Sequence, residues 1–73
     1  MMDRTIIDAR GLSCPQPAML TRRAIEKLTS GSLEVLVDSA TSRDNVVRTA
    51  ERAGWRVQSL EESEASFRVV LQK

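Results

Sequence analysis

Cys14 is the residue best able to do chemistry in this chain of 73 residues, because it is the only cysteine and the chain has no histidine. Without histidine, neither Ser-His-Asp nor Cys-His catalysis is available, and zinc sites that use imidazole ligands are excluded. A single cysteine also excludes an internal disulfide, a CxxC redox pair and a four-cysteine metal site. Any chemistry therefore depends on one thiol, and we expect no metal site.

Cys14 stands in the segment Gly11-Leu12-Ser13-Cys14-Pro15-Gln16-Pro17, where an extended stretch gives way to a helical pattern. Pro15 and Pro17 are tolerated in the first turn of a helix, since the amides there have no acceptor within the helix. Gly11 lets the chain turn sharply as it leaves the strand. These three residues therefore position Cys14 at the mouth of a helix.

The charges near Cys14 favour the ionised thiol. Residues 9–25 include Arg10, Arg22 and Arg23 and not one acid. A helix N-terminus also carries a partial positive charge, and such surroundings lower a thiol pKa from about 8.5. We expect a reactive thiolate, although a lone cysteine is in general more often a small buried apolar residue.

A thiolate without a neighbouring base is suited to accepting sulfur from a persulfide and presenting it to another protein. Neither step needs an internal proton relay, so the pattern indicates a carrier and not a self-sufficient enzyme. The carried group is a covalent persulfide on Cys14, and no other cofactor is expected. Two alternatives stay open: a non-catalytic module that binds protein or RNA through arginines, and a thiol-dependent reductase or peroxidase with an external resolving partner.

The periodicity of apolar residues predicts the order β-α-β-α-β-β. The predicted strands are residues 4–9, 33–38, a stretch around Val57, and 67–71, and the predicted helices are residues 18–29 and a second that Thr41 or Ser42 caps and Gly54 closes. The first helix buries Leu20, Ala24, Ile25 and Leu28, and the second buries Val46, Val47, Ala50 and Ala53. This order predicts an α+β fold of two layers, a βαβαββ sandwich in which both helices cover one face of a mixed four-stranded sheet.

Composition places the chain among single globular domains, here spanning residues 1–73, with 41% hydrophobic and 29% charged residues. The net charge of +1 gives no case for a nucleic-acid or membrane partner. The start of the chain has no signal-peptide pattern, and no apolar run approaches the roughly 18 residues of a membrane span. We therefore expect a cytoplasmic protein.

The segment from Asp8 to Pro17 fits the pattern D-x-x-G-x-x-C-P-x-P, and on this motif the chain resembles the TusA/SirA-like family of small sulfur carriers. A second match runs from Asp38 to Asp44, and residues 35–57 are similar to the YedF-like branch. The resemblance implies a βαβαββ fold and a persulfide on Cys14. It implies a cysteine desulfurase or rhodanese-like donor, and an acceptor protein in tRNA thiolation, cofactor maturation or related sulfur or selenium metabolism.

Charged and aromatic residues outside the motif are candidates for partner binding or for packing. Arg10, Arg22 and Arg23 are predicted to guide a partner protein, whereas Arg48 and Arg52 are predicted to form a solvated face. In that interpretation Asp44 and Glu51 pair with Arg48 at helical spacing. Asp38 is assigned to the turn before the second helix, Trp55 to the core, and residues 61–66 to an acidic turn.

Overall fold

The protein folds as a four-stranded sheet with two helices, and the computed structural model describes residues 4–12, 15–28 and 30–73. In chain order the elements are β1 (Arg4–Asp8), α1 (Gln16–Leu28), β2 (Ser32–Val37), α2 (Ala40–Arg52), β3 (Arg56–Ser63) and β4 (Ser66–Gln72). The strand order is β1-β2-β4-β3, with β1 and β2 parallel and the other two pairs antiparallel. The predicted α+β fold with a mixed sheet is confirmed.

One face of the sheet packs against both helices. Leu33, Val35 and Val37 of β2 alternate towards this face and are fully buried, as are Val69 and Leu71 of β4. Buried residues of both helices complete the same cluster. Trp55, which precedes β3, is only 2% exposed, and this confirms its predicted place in the core. The side chains of alternate strand residues point to opposite faces, so the helix-covered face is determined by the pattern of apolar residues.

The first residues of α2 differ from the sequence prediction. Ser39, and not Thr41 or Ser42, is the N-cap, because it has extended backbone angles and its side-chain oxygen accepts from the Ser42 amide. At the other end the helix stops at Arg52. Ala53 is therefore exposed, where the pattern had predicted it to be buried.

The predicted acidic turn over residues 61–66 is wrong in extent. Strand β3 continues to Ser63 and β4 begins at Ser66, so the turn itself is only residues 64–65. Cross-strand polar contacts extend the hairpin: Arg68 Nη2 lies 2.6 Å from Glu61 Oε1, and the Ser63 and Ser66 hydroxyls are 3.0 Å apart. The opposite charges of Glu61 and Arg68 stabilise the pairing of β3 with β4, although glutamates are uncommon in strands.

The buried stripe of α1 is centred on Pro17, Thr21 and Ile25, and the predicted residues Leu20, Ala24 and Leu28 are only partly buried beside it. Thr21 fits in this stripe because its hydroxyl donates to the Pro17 carbonyl at 2.9 Å. The helix begins two residues before the predicted position. In the described part of the chain, neither helix has the length and apolar character needed to cross a bilayer.

Candidate functional site

The carboxyl ends of β1 and β2 lie side by side, and the loop that carries Cys14 leaves the sheet there. The two strands are parallel, with Asp8 opposite Leu36, so the residues that follow each strand emerge at the same edge. Ser13 and Cys14 lie outside the described residues. The residues on either side of them are described, and they show how the loop and the helix start are held.

The first part of the loop is fastened to the sheet by its backbone. The Ala9 amide donates to the Leu36 carbonyl at 2.8 Å, which extends the parallel ladder one residue beyond β1. The Leu12 amide donates back to the Ala9 carbonyl at 3.4 Å and closes a turn. Ala9 itself is fully buried in the core cluster. The loop therefore begins from a fixed point.

Gly11 sits inside this turn with a φ of +79°, in the left-handed region. A β-carbon placed there would meet no atom within 4 Å, so space does not require glycine at this position. The backbone conformation does favour glycine, because a residue with a β-carbon is less stable by roughly 1–2 kcal/mol in the left-handed region. The sharp turn expected of Gly11 is thus a matter of conformation alone.

Asp38, the residue directly after β2, holds the same turn. The Gly11 amide donates to Asp38 Oδ2 at 2.7 Å, although the two residues are 27 positions apart in the chain. Sequence reasoning gave Asp38 only a part in the turn before α2, where Ser39 makes the capping contact. The position of Asp38 directly after β2 could have predicted this contact, because the carboxyl ends of parallel strands lie at the same edge of a sheet.

Arg10 is paired with Asp8 across the base of the loop. Arg10 Nε donates to Asp8 Oδ1 and Nη2 to Oδ2, both at 2.8 Å, and the Arg10 amide also donates to Oδ1 at 3.2 Å. Hydrogen bonds from the Arg10 side chain, and next from its amide, lower the pKa of Asp8 from 3.8 to about 2. The same pairing raises the pKa of Arg10.

This pairing bears on the charge near Cys14. Residues 9–25 contain no acid, but folding brings Asp8 and Asp38 to the loop from outside that segment. The positive charge of Arg10 is shared with Asp8 and is not wholly available to a thiolate. The first turn of α1, which begins at Gln16, carries the partial positive charge of a helix N-terminus and favours an anion.

The pKa of Asp8 is a direct test of the pair. We expect a carboxyl NMR titration to give about 2 in the intact protein and a higher pKa in Arg10→Gln, which stays below 3.8 because the amide of residue 10 still donates to Asp8. Because the pKa is lowered on folding, the contribution of the pair to stability is complete above pH 3.8 and is lost as the pH falls through about 2. Both side chains are about half exposed, so this contribution is small.

Arg48→Gln is the control and should leave the Asp8 titration unchanged. An identical Asp8 titration in Arg10→Gln would refute the pair.

The two prolines of the motif have different surroundings at the start of α1. Pro15 is exposed, and its carbonyl accepts from the Met19 amide at 3.0 Å, as the residue before a helix does. Pro17 is fully buried and packs in the centre of the helix stripe. Its missing N–H costs nothing in the first turn, so Pro17 combines a fixed φ with core packing.

Arg22 and Arg23 are exposed on α1, downstream of the motif. Arg22 Nε lies 3.5 Å from Glu26 Oε2, one helical turn away, and both side chains are mostly in solvent. Arg23 makes no ion pair within the described residues. The structure thus places both arginines on the exposed surface of the helix that begins at the motif.

Met19 lies between two shallow recesses on the surface of α1 and is 52% exposed. One recess, of about 260 Å³, adjoins the motif loop and is lined by Leu12, Gln16, Met19, Leu20 and Arg23. The other, of about 480 Å³, runs between the helices and is lined by Ala18, Met19, Arg22, Ile25, Glu26, Thr49, Arg52 and Ala53. An exposed methionine between arginines is a feature of surfaces that bind other proteins.

The arginines of α2 are arranged differently from the prediction. Arg48 does not pair with Asp44 or Glu51 among the residues described, because Asp44 Oδ1 lies 3.0 Å from Arg43 Nη2 instead. Arg48 and Arg52 are exposed. The solvated face predicted for them is present, but the intrahelical pairs predicted for Arg48 are absent from the described part of the chain.

Arg43 also makes a contact that sequence reasoning missed. Its guanidinium carbon lies 4.8 Å from the centre of the Phe67 ring, within the range of a cation–π interaction. Phe67 pairs with Val37 at the carboxyl end of β2, so this contact lies on the same edge as the motif loop. No local pattern relates a residue in the first turn of α2 to one in β4.

Comparisons with known proteins agree with the fold and with the family that the sequence resembles. A family model described as Sulfurtransferase TusA matches residues 5–73. A proposed sulfur carrier protein of Methanocaldococcus jannaschii is 40% identical over 68 residues, which is 92% of this chain and 91% of that protein. A proposed sulfur carrier protein of Thermotoga maritima is 35% identical over 57 residues, 77% of this chain and 72% of that protein.

A solved structure has the same fold. The crystal structure of a SirA-like protein from Desulfitobacterium hafniense superposes with a TM-score of 0.84 at 33% identity. The match covers 93% of this chain and 95% of the other. The similarity therefore extends over the sheet and both helices and is not confined to the motif.

Proposed function

The chain belongs to the family described as Sulfurtransferase TusA, and from this membership we propose that it carries sulfur as a persulfide on Cys14. The sequence observation that carries the proposal is the placement of the only cysteine in C-P-x-P, between a strand and α1. Sulfur carriage requires one nucleophilic sulfur and access for two proteins in turn. It requires no second catalytic group in the carrier.

The proposed transfer is balanced without an oxidant or a reductant. The Cys14 thiolate attacks the terminal sulfur of a persulfide on the donor, the donor's S–S bond breaks, and the donor cysteine leaves with the electron pair as a thiolate. The new S–S bond is on Cys14. An acceptor thiolate then attacks the terminal sulfur of Cys14 in the same way, and the Cys14 thiolate is regenerated.

A cysteine desulfurase or a rhodanese-like protein is the proposed donor, because both hold sulfur as a cysteine persulfide. The acceptor is a protein of tRNA thiolation, cofactor maturation or related sulfur or selenium metabolism. We propose that the carrier acts in the cytoplasm and works as a relay, without catalytic turnover of its own. No direct contact with nucleic acid or membrane is part of the proposal.

Partner proteins are proposed to dock on α1 beside the motif. This surface combines exposed Met19 with Arg22 and Arg23, which gives an apolar centre and a basic margin. An acidic surface on the sulfur donor is the complementary partner, since Arg23 carries a positive charge with no ion pair among the described residues. Arg23 lines the recess beside the loop. The Asp8–Arg10 pair holds Arg10 at the base of the loop, where its half-exposed side chain is also proposed to contact a partner.

Reversing the charge of Arg23 tests this docking surface. We expect Arg23→Glu to slow sulfur loading by about tenfold at low salt, because electrostatic steering governs the encounter of complementary proteins. The difference should shrink at high salt, where the Debye length is only about 3 Å at 1 M. Arg48→Glu on α2 is the matched control. Equal loading rates for the two variants would place the docking surface elsewhere.

Intact-mass analysis tests the proposed function itself. The protein is incubated with a cysteine desulfurase, its cofactor and free cysteine, and we expect a gain of one sulfur atom that a reductant removes. No gain with several donors would contradict sulfur carriage. Partner binding that survives alkylation of Cys14 would then indicate an interaction module, and peroxide turnover with an added reductant would indicate a thiol-dependent redox protein.

A further inference from the structure

The first four residues of the motif loop all have bonded backbone amides. The amides of Ala9 and Leu12 donate to backbone carbonyls, and the amide of Arg10 donates to the side chain of Asp8, two residues before it. The amide of Gly11 alone depends on a distant side chain, the carboxylate of Asp38 at 2.7 Å. This bond joins the loop to the end of β2 and has no backbone substitute in the described contacts.

Asp38 is itself held on both sides. Val37 before it is fully buried in the core, and Ser39 after it caps α2 through the Ser42 amide. A carboxylate on such a rigid support fixes its partner more closely than one on a free loop. Hydrogen bonds to an ionised acceptor are also roughly twice as strong as neutral ones.

We propose that Asp38 is a positioning residue, which holds the Gly11 turn and thereby orders the loop that leads to Cys14. This inference rests on the proposed function, because it concerns the loop that would carry the sulfur. Asp38 does not take part in the transfer chemistry. Its contribution is made before the donor arrives, by keeping the loop close to the geometry needed for attack.

Two substitutions separate position from charge. Asp38→Ala removes the acceptor, whereas Asp38→Asn keeps a side-chain oxygen that can accept from Gly11 and removes only the charge. We expect hydrogen exchange of the Gly11 amide to be about tenfold faster in Asp38→Ala, the factor that about 1.4 kcal/mol represents. Asp38→Asn should stay within about threefold of the unsubstituted protein, since a neutral hydrogen bond retains part of the stability.

Alkylation of Cys14 by iodoacetamide at neutral pH gives a second readout that needs no sulfur donor. If Asp38 acted only through its charge, both substitutions would favour the thiolate and speed alkylation equally. The positioning role predicts slower alkylation in Asp38→Ala, because a loosened loop takes the thiol away from the helix N-terminus. In Asp38→Asn the rate should be maintained or increased.

Asp44→Ala is the matched control, since it removes an exposed aspartate from the first turns of α2 near the same edge. It should behave as the unsubstituted protein in both measurements. Unchanged Gly11 exchange in Asp38→Ala, or equal effects of the alanine and asparagine substitutions, would overturn the proposal. Because neither readout needs a sulfur donor, a protein that accepts no sulfur from any donor would refute the proposed function, and the two measurements would still test the role of Asp38.

Discussion

Replacing Cys14 by serine is expected to reduce sulfur loading to the level seen without a donor. A serine hydroxyl is not ionised near neutral pH and cannot attack a persulfide at a useful rate, whereas a thiolate can. The chain has no second cysteine to take over the sulfur. The measurement is the mass of the intact protein after incubation with a desulfurase and cysteine, with and without reductant.

Loss of loading in this variant is informative only if the fold is kept. The change replaces sulfur by oxygen in a short loop, so we expect the urea midpoint to move little. Ser13→Ala is the matched control, because it alters the preceding side chain and leaves the thiol in place; it should load normally. A sulfur gain that persists in Cys14→Ser would show that the sulfur is held elsewhere on the protein.

Replacing Leu33 by alanine is expected to cause the largest loss of stability. Leu33 lies on the central strand β2, is fully buried and pairs with Leu71 across the sheet. Truncating a buried leucine costs about 2–5 kcal/mol, because transfer energy is lost and a cavity is left. A domain of this size has a total stability of roughly 4–11 kcal/mol, so a large fraction of it would be removed.

The free energy of unfolding can be measured by urea titration with the fluorescence of Trp55, the only tryptophan, which is 2% exposed in the folded protein. Leu60→Ala is the matched control, since the same atoms are removed from a side chain that is 48% exposed. We expect its cost to be no more than about 0.5 kcal/mol. Equal midpoints for the two variants would contradict the placement of Leu33 in the core.

The predictions of helices and strands were correct where a local pattern of apolar residues fits only one type of secondary structure. Alternating Leu33, Val35 and Val37 can bury their side chains together only as a strand, and the stripe in α1 only as a helix. The predictions failed at boundaries. Ser39, Thr41 and Ser42 are all good helix caps, and which of them caps α2 depends on where β2 stops pairing with its neighbours.

The extent of the β3–β4 hairpin shows the same limit. Glutamate is depleted in strands, so residues 61–66 read locally as a turn. Glu61 is nevertheless in β3, where Arg68 of the adjacent strand compensates its charge at 2.6 Å. Pairing across strands is decided by register, and register is not visible in either strand alone.

The candidate site likewise has features that the sequence determined and others that depend on the tertiary structure. The sequence by itself determined that the chain has one thiol available for chemistry, that this thiol stands in C-P-x-P, and that a helix follows, because these depend on residue types and near neighbours. Only the tertiary structure brought Asp38 to Gly11, at the loop whose base holds the local Asp8–Arg10 pair. The parallel pairing of β1 and β2 placed their carboxyl ends together. Residues 27 positions apart thereby became neighbours through hydrogen bonds that no local spacing encodes.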